Sequence, residues 1–285
     1  MTDLAIVVGV DGSDQALDAV RWAAAEAAHR AVPLRLVSAL DPAIAVAVAG
    51  PPAVAEAVEA VERVAEADLE KAARLARETA DVAARTEYLP APAVPALVEQ
   101  SKHARLLALG ASGRGGYAGM LVGSTAVAVV AHSECPVVVV RPAAEPAGPV
   151  VVGVDGSETS LGALAAAFDQ AAWRRAPLVA VHAWLDADYL LAAQYGLVAG
   201  KPEEEDQARL LTESLAGWQE KYPDVPVERV VARDQPRRRL LQWSHKAQLV
   251  VVGSRGRGGF TGLVLGSTSQ ALIQHAPCPV MVVRG

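Results

Sequence analysis

The sequence predicts an α/β protein made of two tandem Rossmann-like domains, each a doubly wound parallel sheet flanked by helices. First, GVDGS at residues 9–13 recurs at 153–157, and CPVVVVR at 135–141 recurs as CPVMVVR at 278–284, which are offsets of 144 and 143 residues. Second, Val-rich runs alternate with Ala-rich helical segments in each copy, the pattern of a parallel sheet buried on both faces. Because aromatic residues are only 4% and hydrophobic residues 52% of the chain, the core must consist of Ala, Val and Leu.

The elements of the first copy follow from the hydrophobic pattern. Strands are predicted at residues 4–10, 34–40, 85–89, 105–110 and 137–141, and helices at residues 14–31, 53–81, 94–103 and 123–132. The second copy repeats the strands near residues 150–154, 178–184, 227–231, 249–253 and 280–284. Between the copies, the Pro-rich residues 142–149 cannot continue a helix or a central strand. We therefore expect one domain at residues 1–143 and a second at residues 148–285.

Composition and charge argue against several classes of protein. No run of about 18 uninterrupted apolar residues is present, so no transmembrane helix is expected. The first residues lack the basic segment of a signal peptide. A net charge of −6 and a pI near 5.6 argue against nucleic acid and anionic membranes as partners. Because two cysteines in 285 residues also suit a reducing compartment, we expect a cytoplasmic protein.

The first candidate for chemistry lies where strand one of each copy ends. In an open α/β sheet, ligands bind beyond the carboxyl ends of the strands, at the switch in strand order. Asp11 and Asp155 stand at this point, in the Asp-Gly-Ser sequence that leads into the first helix. Taken alone, Asp-Gly-Ser is more typical of a turn followed by a helix N-cap. The two aspartates therefore have a structural interpretation as well as a binding one.

A glycine-rich loop after strand four gives the stronger signal. In the first copy, Gly110 and Gly113 are followed after nine further residues by Gly123-Ser124-Thr125; the second copy has the same spacing in Gly253, Gly256 and Gly266-Ser267-Thr268. Glycines let backbone N–H groups approach an anion, and the helix that starts after the loop favours negative charge at its N-terminus. Arg114 and Arg257 add positive charge. The repeated pattern favours a phosphate cradle over a flexible connection, and it is neither a P-loop nor a dinucleotide-binding fingerprint.

These motifs resemble the universal stress protein family in its tandem, ATP-binding form, and the resemblance covers both halves almost end to end. It implies HUP-type domains with five parallel strands in the order 3-2-1-4-5 and ATP at the carboxyl edge. Asp11 and Asp155 are then expected beside the ribose and phosphates, and whether they act through ATP-bound Mg²⁺ is left open. The resemblance further implies ribose contacts by Gly110 and Gly253 and adenine contacts near Ala39 and Ala183. Phosphate contacts are implied for Gly113, Gly123, Ser124, Thr125, Gly256, Gly266, Ser267 and Thr268.

The function implied by this resemblance is that of a nucleotide-dependent regulator or sensor in the stress response. A homodimer of tandem chains and a regulatory protein partner are expected with it. No side chain is recognisable as a base for an attacking water, so no catalytic residue is predicted. Two alternatives remain: a slow ATPase or other ATP-using enzyme on the same fold, and an interaction protein that has lost nucleotide binding.

The two copies differ at two positions near the expected site. Ala111 stands where the second copy has Ser254, and Ser38 stands where it has His182. Neither difference removes a backbone donor, so both halves are expected to bind ATP.

Three further features have simpler interpretations. Cys135 and Cys278 each follow a histidine by three residues, but a zinc site would need both pairs to converge, so small buried side chains are expected. The basic residues 235–240 are predicted to form the solvated first turn of a helix. The apolar residues 43–54 and 187–200, which follow strand two, are predicted to cover the adenine or to form an oligomer surface.

Overall fold

A computed structural model describes residues 4–43, 54–114, 122–184, 202–257 and 264–284. The chain divides into two compact units, Met1–Pro142 and Ala143–Gly285. The segments expected to cover the adenine, residues 43–54 and 187–200, lie outside the described residues, except for positions 43 and 54. In the described part of the chain, no helix has the length and hydropathy needed to cross a membrane.

The first unit alternates strands and helices. Its strands are β1 (Ala5–Gly9), β2 (Leu34–Ala39), β3 (Ala84–Leu89), β4 (Ala104–Gly110) and β5 (Val137–Val140). Its helices are α1 (Asp14–His29), α2 (Val54–Thr79), α3 (Ala93–Ser101) and α4 (Ser124–His132).

The second unit repeats this order with one addition. Its strands are β6 (Val150–Gly153), β7 (Leu178–Trp184), β8 (Val227–Arg233), β9 (Leu249–Gly253) and β10 (Val280–Val283). Its helices are α5 (Glu158–Arg174), α6 (Pro202–Leu215), α7 (Trp218–Lys221), α8 (Pro236–Ser244) and α9 (Ser267–His275). The sequence did not predict α7.

Every strand pairing within a unit is parallel, as the α/β fold class requires. In the first unit β1 pairs with β2 and β4, β2 pairs with β3, and β4 pairs with β5. In the second unit β6 pairs with β7 and β9, β7 with β8, and β9 with β10. In the first unit, β2 and β3 therefore lie on one side of β1, and β4 and β5 lie on the other. In the second unit, β7 and β8 lie on one side of β6, and β9 and β10 lie on the other. This arrangement puts the switch point at the carboxyl ends of β1 and β4, and of β6 and β9.

Small residues bring the helices close to the sheets. Ile6, Val7 and Val8 of β1 are fully buried, as expected for a strand covered on both faces. On α1, the alanines at positions 19, 23 and 27 are also fully buried and share one face of the helix. The Ala- and Val-rich composition therefore reflects close packing of helices on a buried sheet.

The few aromatic residues include a small cluster in the second unit. Phe168 of α5 stacks on Trp218 and on Tyr222, with ring centroids 5.5 Å apart in both pairs. This stacking holds the four-residue α7, which is too short to be stable on its own.

Candidate functional site

A cavity of about 760 Å³ lies at the carboxyl ends of the strands in the second unit. Its walls come from the ends of β6, β7 and β9, the glycine-rich loop, the start of α9 and the first turn of α8. Eight predicted site residues of the second half line it together: Asp155, Ala183, Gly253, Gly256, Arg257, Gly266, Ser267 and Thr268. The structure thus brings into one cavity residues that lie more than a hundred positions apart in the chain.

The predicted residues of the first half occupy the same places on the equivalent elements. Asp11 follows β1, Ala39 ends β2 and Gly110 ends β4. Gly113 and Arg114 lie in the loop after β4, and Gly123, Ser124 and Thr125 form the start of α4.

Each aspartate at the end of the first strand fastens the glycine-rich loop to the turn. The Oδ1 atom of Asp155 accepts hydrogen bonds from Ser157 Oγ (2.6 Å) and Ser157 N–H (2.9 Å). Its Oδ2 atom accepts one from the backbone N–H of Arg257 at 2.9 Å. Asp11 does the same in the first unit, where the N–H groups of Ser13 and Arg114 each donate at 3.0 Å. The carboxylates therefore have a structural role that sets the shape of the loop.

The charge of Asp155 is stabilised by these contacts. Burial opposes ionisation, but the hydrogen bonds from Ser157 and from the Arg257 N–H outweigh it and hold the pKa of Asp155 below its ordinary value of 3.8. The loop is therefore tied to an anion at neutral pH, which makes these hydrogen bonds stronger than neutral ones.

Two of the loop glycines are needed for packing within the protein. A Cβ atom on Gly256 would overlap Asp155 Oδ2, and one on Gly113 would overlap Asp11 Oδ2. At the end of β4, a Cβ on Gly110 would lie 2.6 Å from the backbone carbonyl carbon of Gln15 in α1. Gly110 thus lets α1 pack against the strand end, a reason independent of the ribose contact that the family resemblance implies.

A side chain from the first helix gives the loop a second attachment in each unit. Gln15 Oε1 accepts a hydrogen bond from the N–H of Ser112 at 2.5 Å, and Thr159 Oγ1 donates to the carbonyl of Arg255 at 2.5 Å. Different chemistry therefore fixes equivalent loop positions in the two halves.

The helices that follow the loops begin without a side-chain cap among the described residues. Gly123 and Gly266 are the N-cap residues of α4 and α9, and neither can supply a side-chain acceptor. By contrast, α1 and α5 are capped by Ser13 and Ser157, whose hydroxyls accept from a backbone N–H of the first turn. The first N–H groups of α4 and α9 are thus left for another acceptor, and a phosphate oxygen suits that position.

Within the part of the chain that the structure describes, packing does not require glycine at positions 123 and 266. Their backbones are extended, with φ of −77° and −70°. A Cβ atom would lie 3.6 Å from its nearest described neighbour at Gly123 and 3.4 Å from its nearest described neighbour at Gly266, which are ordinary contacts. A bound group that approaches the backbone closely would explain both glycines.

Sequence reasoning missed a group of residues from α8. The basic segment at residues 235–240 was predicted to form the solvated first turn of a helix, and α8 begins at Pro236. In addition, Gln235, Arg237 and Leu240 line the cavity. The position of the helix in the chain could have indicated this, because the helix follows β8 and begins at the same edge of the sheet as the glycine-rich loop. The predicted first turn of a helix is confirmed, with Gln235 and Arg237 exposed, and the contribution of these residues to the cavity is what the sequence did not show.

His182 gives the cavity a buried polar element. It is 3% exposed, and its Nδ1 atom lies 2.7 Å from the carbonyl oxygen of Val154, so Nδ1 carries the proton and donates. Its Nε2 atom lies 2.7 Å from the side-chain amide of Gln207 in α6, and its ring stacks on Trp184. His182 therefore links the ends of β6 and β7 to α6.

Both cysteines are buried and neither forms a disulfide, as expected for small core residues. Among the described residues, no group of three or more His, Cys, Asp or Glu side chains is placed to hold a metal ion.

Comparison with known proteins defines the class of this one. The sequence profile of the universal stress protein family matches residues 5–141 and 147–284, and the chain therefore belongs to that family, with two tandem domains. It is 43% identical over 292 residues to universal stress protein Rv2623 of Mycobacterium tuberculosis, covering 99% of this chain and 97% of that one. Universal stress protein Rv1996 of the same organism is 41% identical over 303 residues, covering 99% and 96%.

The fold is shared with a solved structure as well. The crystal structure of a universal stress protein from Archaeoglobus fulgidus matches with a TM-score of 0.70 at 18% identity, covering 100% of this chain and 99% of that one. At that level of identity the match concerns the fold.

Proposed function

We propose that this protein binds ATP in each half and acts as a nucleotide-dependent regulator or sensor in the stress response. The observation that carries the proposal is the uncapped N-terminus of α9, which opens into a cavity at the switch point of the sheet beside Arg257. This arrangement combines free N–H groups, a helix dipole and a cation at one place, which suits a phosphate chain.

The cavity also has a wall suited to a base. Val181, Trp184 and Leu240 line it, so its surface includes apolar and aromatic area away from the loop. Trp184 Nε1 is a buried donor without a hydrogen-bond partner among the described residues. A ring nitrogen of adenine is an acceptor of the kind that such a donor needs.

A magnesium ion, if it accompanies ATP, is expected on the phosphates. Both carboxylate oxygens of Asp155 already accept hydrogen bonds from Ser157 and Arg257. Asp155 therefore suits an indirect role, accepting from a water bound to the ion, and Asp11 has the same bonding pattern in the first half.

A regulator is favoured over an ATPase by the side chains in the described lining. His182 is buried, with both ring nitrogens at hydrogen-bond distance from Val154 and Gln207, and Asp155 is committed to the loop. Neither is set up as a base for an attacking water. The expected homodimer and the regulatory partner remain predictions from the family resemblance, and the cytoplasmic location remains a prediction from composition and cysteine content.

Nucleotide binding can be tested on the purified full-length chain. Mass spectrometry of the denatured protein would identify any co-purified nucleotide, and equilibrium dialysis would give the stoichiometry with ATP, with GTP as the comparison. We expect one ATP in each half, with protection of the first-turn amides of α9 in hydrogen exchange. Absence of adenine nucleotide binding would refute the proposal, and sustained phosphate release would favour the ATPase.

A further inference from the structure

The glycine-rich loop of each unit places one arginine against the turn after the first strand. In the first unit, the Nη2 atom of Arg114 lies against Gly12. In the second, the Nη2 atom of Arg257 lies 2.5 Å from the place that a Cβ of Gly156 would take. Gly12 and Gly156 have φ of +77° and +76°, so the two turns also share their backbone conformation. The two arginines therefore occupy equivalent positions.

The residue beside the arginine is acidic in the first unit and apolar in the second. Beside Arg114 lies Asp68 of α2, whose Oδ1 atom accepts a hydrogen bond from Arg114 Nη2 at 2.6 Å. At the equivalent place in the second unit lies Leu210 of α6, whose Cδ1 atom is 3.4 Å from the same Cβ position on Gly156. Arg114, whose side chain is 49% exposed, is thus paired with an acid, whereas the described residues leave the guanidinium of Arg257 without an acidic partner.

Asp68 holds Arg114 firmly because the carboxylate is buried. Asp68 is 8% exposed, and its Oδ2 atom has no hydrogen-bond partner among the described residues. Arg114 is consequently the counter-ion on which this carboxylate depends. Moving the guanidinium toward a phosphate would leave a buried charge unpaired, which strongly opposes the movement.

Two other positions reinforce the difference. Arg237 and Arg255 line the cavity of the second unit. The residues that stand 143 positions earlier are Val94 and Ser112, which carry no charge. The second unit therefore offers three arginines to a ligand in its cavity, whereas the corresponding positions of the first offer one that is already paired.

We propose that the two halves bind different numbers of phosphates: the C-terminal site is selective for nucleoside triphosphates, and the N-terminal site discriminates little between ATP and AMP. Asp68 is the specificity-determining residue, since it removes from the N-terminal site the charge that would recognise the outer phosphates. The inference rests on the proposed function and refines it, because it makes the C-terminal site the first to fill with ATP.

The test measures each site with the other one blocked. Gly266→Asp places a carboxylate where phosphates are expected in the second half, so that only the N-terminal site remains, and Gly123→Asp does the reverse. ATP and AMP affinities are measured by calorimetry in both full-length chains. The C-terminal site is expected to prefer ATP over AMP by about tenfold more than the N-terminal site does.

Two exchanges between the halves then test the residue itself. Asp68→Leu, in the chain with the N-terminal site open, is expected to raise ATP affinity about tenfold and to leave AMP affinity nearly unchanged. Leu210→Asp, in the chain with the C-terminal site open, is expected to lower ATP affinity by a similar factor. Asp68→Asn keeps the side-chain volume and is expected to act in the same direction as Asp68→Leu. It therefore tests the role of Asp68 even if Asp68→Leu or Leu210→Asp does not fold.

The outcomes separate this inference from the proposed function. Equal ATP-to-AMP ratios at the two sites, or changes at Asp68 that shift ATP and AMP affinity by the same factor, would overturn the inference while nucleotide binding stands. If neither half of the parent chain binds a nucleotide, the proposed function fails, and the inference fails with it.

Discussion

Gly266→Asp should separate the stability of the protein from its nucleotide binding. Gly266 is the N-cap of α9, with φ −70° and ψ 151°, which any L-residue can adopt. Among the described residues, the nearest neighbour of a Cβ atom at this position would be the carbonyl oxygen of Ser254 at 3.4 Å, so the described backbone leaves room for a side chain. Aspartate at an N-cap accepts a hydrogen bond from the first turn, so we expect stability to stay level or to rise by a few tenths of a kcal/mol.

The same substitution should nearly abolish ATP binding in the second half. The new carboxylate would occupy the N–H groups proposed for the phosphates and would lie about 4 Å from a phosphate. At an effective dielectric constant near 20, two like charges at that distance repel by about 4 kcal/mol. We therefore expect affinity at this site to fall roughly 1,000-fold.

Gly266→Asn is the matched control. Asparagine has nearly the same shape and also caps a helix, but it carries no charge. It should therefore keep the stability of the aspartate variant and lose much less affinity. Dialysis against ATP should show that half of the binding capacity is lost in Gly266→Asp, and thermal unfolding should show an unchanged or higher Tm. If the aspartate variant binds ATP as well as the asparagine variant and the parent chain do, the phosphates do not lie at this helix, and our reasoning is refuted.

Further predictions concern the residues that shape the loop. Asp155→Ala removes the acceptor for the N–H groups of Ser157 and Arg257, and we expect a loss of about 2 kcal/mol in the free energy of unfolding by urea, with a smaller loss for Asp155→Asn. Because the pKa of Asp155 is lowered in the folded state, its contribution to stability is complete above the unfolded value of 3.8 and is lost as pH falls through the lower folded value. Thermal unfolding across that acid range should show this loss in the parent chain and not in Asp155→Asn. Gly253→Ala places a Cβ 2.6 Å from Thr159 Oγ1 and 2.9 Å from its carbonyl carbon, which should cost about 1–3 kcal/mol. Gly217→Ala meets nothing within 4 Å but has φ +78°, so backbone strain alone should cost about 1 kcal/mol, and a Gly253→Ala cost no larger than this would contradict the close packing.

The fold could be predicted from the sequence because its signals are local and repeated. Valine runs such as residues 137–140 are fully buried strands, and the same spacing recurs in the second half. Helix α7 could not be predicted in this way, because a segment of four residues carries no periodic pattern. It is held by stacking of Trp218 on Phe168, which lies 50 positions away in the sequence.

The candidate site could be located from the sequence, but the roles of its residues could not be separated. The repeated spacing placed Gly110 and Gly123 in one loop, yet their reasons for being glycine differ. A Cβ atom on Gly110 would overlap the backbone of α1, whereas the described neighbours of Gly123 leave room for a side chain. Contributions from α8, such as Arg237, depend on how the helix meets the cavity, and that is set by tertiary packing.

The comparison of the two halves strengthens the case for a ligand at the uncapped helices. The two halves differ at several positions around the loop. Gln15 and Thr159 hold the loop by different hydrogen bonds, and the loop arginine has acidic Asp68 beside it in the first half and apolar Leu210 in the second. Yet both have glycine at the N-cap, where the backbone is extended and the described neighbours leave room for a side chain. A capping residue there would stabilise the helix. Within the described residues, stability alone does not account for glycine there, whereas the proposed phosphate on the first N–H groups of the helix would.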